Sequence, residues 1–285
     1  ADFSIEKAIA MDADLVILNL GEYLKAQETG IIEKLDKAGI KVVFVDFRQR
    51  PTQNTVPSIQ MLGRLLGKQK EAQEFTDFYL QQMRLVYTRT VGKPEDKKPL
   101  VFVERAQGYN PNKCCSTFGS ANLGRLVEEA GGRNWGSTMF TGFTGNVNPE
   151  QIFVTDPDVI IGSGANWSEA NPSTTAVLLG YEADDKMAQE RMAALAARPG
   201  WETLKAVKSK EFYSIYHQFY NNPYHFVAVQ VFAKWFYPED FKDIDPNKTM
   251  QELHDRFLPV DRVFESLAQF HIVEGCPFCQ HRERI

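Results

Sequence analysis

Short apolar runs alternate along the chain with longer segments of helical period. The runs Asp14 to Asn19, Lys41 to Phe47, Leu100 to Glu104, Asp158 to Gly162 and Glu211 to Tyr216 are rich in valine and isoleucine, and several follow a turn signal such as Ala38-Gly39 or Asp156-Pro157. Near-continuous apolar strands separated by helices are the pattern of parallel sheets covered by helices on their faces. The pattern predicts an α/β protein.

It also repeats. Ser4-Ile5-Glu6-Lys7-Ala8-Ile9, followed after three residues by Ala13-Asp14-Leu15-Val16-Ile17, aligns without gaps on Asn148-Pro149-Glu150-Gln151-Ile152-Phe153 followed by Pro157-Asp158-Val159-Ile160-Ile161. Each copy carries a glutamate at the start of a short helix, then two aspartates (Asp12 and Asp14; Asp156 and Asp158), then a strand. Each is followed by a second helix-to-strand step, Leu35 to Phe47 and Leu204 to Tyr216. Two Rossmann-like lobes of one design are expected, each a parallel or mixed sheet flanked by helices.

Between the copies, Ile59, Leu62, Leu65, Leu66, Phe75, Phe78, Tyr79, Met83 and Val86 fall at helical spacing, and Gly92-Lys93-Pro94 ends the segment. If continuous, this helix spans roughly 50 Å at 1.5 Å per residue and joins the lobes as a strut. Gly63 and Gly67 each weaken it by about 1 kcal/mol relative to alanine, which points to a break or a close packing contact there. The expected division is an N-terminal lobe over 1–56, a connecting helix over 57–92, a C-terminal lobe over 93–260 and a tail over 261–285.

Composition removes several function classes. The 285 residues are 43% hydrophobic and 24% charged, with a net charge of -5. Basic residues are scattered among acidic ones, so no nucleic-acid or anionic-membrane surface is expected. No apolar run approaches the roughly 18 residues of a membrane span, and Ala1-Asp2-Phe3-Ser4 lacks the start of a signal peptide. The expectation is a soluble chain whose export signal has gone. No Gly-x-Ser-x-Gly, Walker, His-Glu-x-x-His or Gly-x-Gly-x-x-Gly motif follows a strand, so no catalytic residues are expected.

Several ordered motifs then carry a resemblance. They are the glutamate-to-Asp-x-Asp-Leu-Val-Ile segment, Lys37-Ala38-Gly39-Ile40-Lys41-Val42-Val43-Phe44-Val45-Asp46, the Leu-Gly-x-Leu-Leu-Gly of 62–67, Glu129-Ala130-Gly131-Gly132-Arg133-Asn134, Asn148-Pro149-Glu150-Gln151-Ile152 and Leu204-Lys205-Ala206-Val207-Lys208. Together they resemble the periplasmic substrate-binding proteins of ABC importers for iron siderophores, haem and cobalamin, the class with a helical backbone between lobes. The resemblance covers the chain up to about Val260.

It implies a monomer, periplasmic or lipid-anchored outside the cell membrane, that holds a metal chelate between its lobes and hands it to a permease. One acidic residue per lobe would meet arginines of the permease, and the matching positions are Glu6 and Glu150. Both also suit the positive end of a helix dipole. The resemblance further implies strands ahead of the first glutamate segment, so the first lobe is expected to be partial here.

In open α/β lobes, ligands sit beyond the carboxyl ends of strands. The residues that follow the predicted strands are Arg48 and Arg50; Arg105 and Tyr109; Trp167; and Tyr216, His217, Tyr220 and Tyr224, with Tyr216 closing its strand. Guanidinium groups suit an anionic chelate and aromatic rings its planar parts, while tyrosinate and imidazole are ligands for ferric iron. A ferric siderophore is the expected cargo, with no resident cofactor; haem, cobalamin and other chelates are the alternatives, with Tyr216, His217 and Tyr220 as axial candidates for haem.

Four cysteines do not make a disulfide scaffold in a chain of this size. Cys114 and Cys115 are adjacent, which predicts two free or separately bonded thiols. Cys276-Pro277-Phe278-Cys279 with His281 is a half-set of zinc ligands or a disulfide pair. A two-lobed cluster enzyme of the nitrogenase-component type would rest on Cys114 and Cys115 alone, and a purely structural interaction protein would hold no ligand.

Overall fold

The computed structural model describes residues 4–180, 183–258 and 272–274, which divide into two compact units at 76/77. The first is built from α1 (Ile5–Ala10), β1 (Leu15–Asn19), α2 (Tyr23–Glu28), α3 (Ile31–Lys37), β2 (Lys41–Val45) and α4 (Pro51–Leu65). Strands β1 and β2 pair in parallel from Leu15 against Lys41 to Asn19 against Val45. Ala8, Val16, Leu35 and Ile40 form the buried core of this unit, with Ile5, Leu18, Ile31 and Val42 packed around it.

Local chemistry sets the helix ends. Ser4 caps α1, its hydroxyl accepting from the Lys7 N–H at 3.2 Å, and Pro51 opens α4, where no amide donor is required. The expected continuous helix from 57 onward is two helices. Helix α4 ends at Leu65, Gly67 takes a left-handed φ of 66°, and α5 (Gln69–Thr90) runs on for 22 residues through the boundary between units. Gly63 lies against Ala72, and a side-chain carbon at Gly63 would collide with the Ala72 methyl. The two glycines therefore supply both effects their spacing suggested, a break and a close contact. Helix α5 is the long connecting helix.

The second unit holds the larger sheet. Its elements are β3 (Leu100–Glu104), β4 (Ser116–Phe118), α6 (Asn122–Glu129), β5 (Arg133–Asn134), β6 (Thr144–Asn146), α7 (Pro149–Thr155), β7 (Val159–Gly164), α8 (Asp185–Ala196), α9 (Lys205–Lys208), β8 (Phe212–Tyr216), α10 (Phe226–Phe236), α11 (Pro246–Phe257) and β9 (Ile272–Glu274). Strand order is β6-β4-β3-β7-β8-β9, with β5 also paired to β3. The centre, β3-β7-β8, is parallel, and β4, β6 and β9 run antiparallel to their neighbours. The three central strands are those the apolar runs predict. Strands β4, β5, β6 and β9 were not foreseen, each being three residues or fewer, and β9 adds residues 272–274 of the expected tail to the sheet.

Every residue of β7 is buried, as expected of a strand covered on both faces. One face carries Phe102, Ile160 and Phe212 into a core with Met192, Leu195 and Trp201. The other is covered in part by α10, in which Phe226 through Ala233 are all buried. Full burial of each such large side chain contributes about 1.5–3 kcal/mol. Helix α5 is fastened to this unit by Phe78 edge-on to Phe226 at 5.6 Å, by Gln230 donating to Gln82 at 2.8 Å, and by Arg89 donating twice to Asp243 at 2.7 and 2.9 Å.

The sequence repeat is a structural one. Asn148 caps α7 as Ser4 caps α1, accepting from the Glu150 N–H at 3.0 Å. Asp12 and Asp156 both take left-handed φ values, 51° and 44°, and turn the chain from helix to strand. Aspartate tolerates that region better than most side chains, which accounts for its recurrence. In the second copy the carboxylates also stitch elements together: Asp156 accepts from the Lys205 N–H at 2.7 Å and Asp158 from the Leu100 N–H at 2.8 Å.

Candidate functional site

At the carboxyl end of the central strands, one serine ties three elements together. Ser163 in β7 accepts from the Ala106 N–H beyond β3 at 2.8 Å, and its hydroxyl lies 2.9 Å from Nδ1 of His217, just past β8. His217 is buried. Its ring is the hub of an aromatic group: Trp167 packs edge-on at 5.0 Å and Tyr220 at 4.8 Å. Tyr109 meets the other side of Trp167 at 5.5 Å, and Phe118 and Phe143 back Tyr220, each at 6.1 Å. Tyr109 is exposed and Trp167 half-buried, so the outer part of this wall faces solvent. It offers ring edges and faces held at fixed angles to a planar ligand.

Beside Tyr109 opens a pocket of about 360 Å³ whose walls include Glu104, Arg105, Lys113, Cys114, Cys115 and Asn146. Buried Glu104 is already neutralised: Arg198 donates to its two oxygens at 2.8 and 2.7 Å, and Gln107 adds a third bond at 2.6 Å. Arg198 is held in turn over the Trp201 ring, 3.4 Å from its centre. Among the described residues, the uncompensated charge lining the pocket is therefore that of Arg105 and Lys113, and it is positive. Nε of Arg105 is buried with no hydrogen-bond partner among the described residues.

The expectation of free or separately bonded thiols is corrected here. Cys114 and Cys115 are joined to each other in a disulfide, across a cis peptide that brings their Cα atoms to 3.1 Å. Sequence adjacency argued against the bond because neighbouring cysteines must close a very small ring, outside the usual range of disulfide geometry. Cys276, Cys279 and His281 lie outside the described residues.

The remaining predicted residues divide. Tyr216 packs against Phe219 at 6.4 Å and against the Gly180 backbone, and belongs to the flank of the core; Tyr224 meets Phe219 at 6.2 Å. Arg105, Tyr109, Trp167, His217 and Tyr220 are thus brought together, while Tyr216 and Tyr224 gather around Phe219. Arg48 and Arg50 lie in the first unit, in the turn between β2 and α4. Glu6 and Glu150 are exposed in the first turns of α1 and α7, and the amide and the Ser4 hydroxyl hold the Glu6 carboxyl below the usual glutamate range.

Sequence reasoning missed Asp46, Ser163 and the Glu104–Arg198 pair. Asp46 is almost fully buried. Its Oδ1 accepts from the Arg48 and Gln49 amides at 2.8 and 2.7 Å, and its Oδ2 from the Arg50 amide at 3.0 Å and Asn54 at 2.8 Å. Burial pushes this carboxyl up, but the bonds from Asn54 and the three amides outweigh it and leave it below the usual aspartate range. It ends β2 two residues before the apolar run ends and shapes the turn that carries Arg48 and Arg50. An acidic residue inside an apolar run was the available signal. Ser163 offered a weaker one, a polar residue between Gly162 and Gly164 at a strand end.

The family profile described as periplasmic binding protein matches residues 1–218. Among solved structures, the chain is similar to the TroA-like periplasmic binding protein FepB from Veillonella parvula, at 30% identity and a TM-score of 0.81 over 91% of this chain and 73% of that one. The molybdate-binding MolA of Haemophilus influenzae shares the fold at 18% identity and a TM-score of 0.63, covering 90% of this chain and 76% of its own. So does Helicobacter pylori CeuE with Ni(II) bound, at 16% and 0.65, covering 92% and 74%. Comparison with curated proteins gives no match.

Proposed function

Because this chain belongs to the periplasmic binding protein family, we propose that it captures an anionic metal chelate, with a ferric siderophore as the leading cargo, at the carboxyl edge of its larger sheet. The family places it outside the cytoplasm as the solute-binding component of an ABC importer, partnered by a membrane permease. The observation that carries the cargo reading is the pairing of a positive pocket, Arg105 with Lys113, with the adjoining wall of Tyr109, Trp167, His217 and Tyr220. A guanidinium charge attracts the anionic chelate and flat aromatic surface holds its rings. Arg48 and Arg50 of the first unit are proposed to contribute further positive charge, and Tyr216 and Tyr224 to support the aromatic residues. Glu6 and Glu150, one on each unit, are proposed to orient the protein on its permease. It is proposed to act as a monomer.

The test is tryptophan fluorescence during titration with ferric catecholate, ferric hydroxamate, ferric citrate, haem, cobalamin, molybdate and nickel-histidine. Trp167 lies in the wall, so the cargo quenches it saturably at submicromolar concentration, and the quenching is lost in Trp167→Phe. Silence towards both ferric siderophores with a response to another panel member reassigns the cargo.

A further inference from the structure

Glu104, Cys114 and Cys115 stand together on one wall of the pocket beyond β3, with a carboxylate oxygen and the two sulfurs all within 4.8 Å of one another. This is the only such group of three or more histidine, cysteine or acidic donors among the described residues. The carboxylate and Cys115 are buried, Cys114 is partly open, and all three line the 360 Å³ pocket, which gives an ion a route in. We propose that, once the Cys114–Cys115 disulfide is reduced, the two thiolates and Glu104 bind a single thiophilic divalent cation of the zinc and cadmium class. The inference shares its pocket with the chelate reading but concerns different donor atoms and a bare ion, so either can fail without the other.

Charge and donor chemistry both fit. Nη1 of Arg198 lies 3.7 Å from Sγ of Cys114 as well as 2.8 Å from Glu104, so a guanidinium already stands where a thiolate would form. Among the donors and their direct partner, two thiolates and the carboxylate against the Arg198 guanidinium leave two net negative charges, a local excess that a divalent ion cancels although Arg105 and Lys113 line the same pocket. A carboxylate oxygen accepts at more than one lone pair, so Oε1, 3.7 Å from Cys114 Sγ, can take the ion while Oε2 keeps Arg198 and Gln107. Two soft thiolates with one oxygen select a soft or borderline ion over magnesium or calcium. The reductant is a dithiol. It passes two electrons and two protons to the disulfide, closing into a disulfide of its own, and the incoming cation then displaces both protons to water.

The experiment uses the full chain carrying Cys276→Ser and Cys279→Ser, which removes the other two thiols. The protein is reduced with dithiothreitol, freed of it without air, and titrated with Cd2+ alone. One equivalent is expected to bind with a new near-ultraviolet thiolate-to-cadmium absorption and release of protons. The oxidised protein shows neither, and adding Cys114→Ser with Cys115→Ser abolishes both. Glu104→Gln, which keeps shape and one acceptor oxygen, weakens the ion about tenfold or more, within the range for perturbing a metal site. Absence of the absorption in the reduced protein, its survival without Cys114 and Cys115, or unchanged affinity in Glu104→Gln overturns the three-donor site.

Discussion

Asp46 and Glu104 are two buried carboxylates handled in opposite ways, one by amide donors and one by a guanidinium. Replacing Asp46 with alanine leaves three backbone amides and Asn54 without their acceptor, and each unsatisfied buried donor costs about 1–3 kcal/mol. Asp46→Ala is therefore expected to lower the melting temperature clearly, as read by circular dichroism. Its pH dependence follows from the lowered pKa. The unfolded chain takes up the proton first, so the stabilisation is complete above the unfolded value of about 3.9 and disappears as pH falls through the lower folded value. Asp46→Asn should lose that acid-side slope in melts below about pH 5. Arg198→Ala strands the Glu104 charge in the core and should cost about 3–5 kcal/mol in denaturant unfolding. Arg105→Ala should weaken an anionic chelate by about 1–3 kcal/mol with little change in stability; unchanged affinity in the fluorescence titration removes Arg105 from the site. Arg105 was legible from its position after a strand. Asp46 and Arg198 were not, because their partners are the backbone of a turn and a residue 94 positions away.

Elements were legible where apolar pattern alone determines them. Strands β3, β7 and β8 need their continuous hydrophobic runs, since their sheet is packed by helices, while β1 and β2 were legible from the same pattern although only Val16 and Val45 of them are buried. Strand β4 is Ser-Thr-Phe and β6 is Thr-Gly-Asn, and their pairing is decided by where the chain returns, a tertiary fact. Helix α4 and helix α5 were legible as one segment whose glycines warned of a junction. Filling that junction is testable. Gly63→Ala drives a methyl group into that of Ala72 and should destabilise by about 1–3 kcal/mol, the range for overpacking. Adding Ala72→Gly vacates the same space, so the double variant should recover part of the loss in urea melts. Strict additivity of the two changes would show that the residues do not meet.

At the scale of the molecule, the gapless repeat is the feature that sequence showed most fully, because both copies place a capping side chain, a left-handed aspartate and a strand at matching positions. Position after strands selected five candidate residues that the structure brings together, Arg105, Tyr109, Trp167, His217 and Tyr220, but not the disulfide beside them, which residue spacing does not report. If Glu6 and Glu150 dock the permease, Glu6→Gln with Glu150→Gln should leave chelate affinity unchanged while slowing import by the cognate transporter and flattening its dependence on salt. Unaltered uptake would return both residues to the role of helix-terminal acids.

The strand order has a further consequence. The outermost strands of the larger sheet, β6 and β9, are three residues long, and β9 is drawn from the end of the chain to cover β8 from Tyr213 to Ile215. An uncovered β8 would present a row of open amides and carbonyls to any passing strand, the usual template for aggregation. A chain stopped at Leu258 should keep its core and yet self-associate with rising concentration in analytical ultracentrifugation, which would make the closing strand a guard against the protein's own kind.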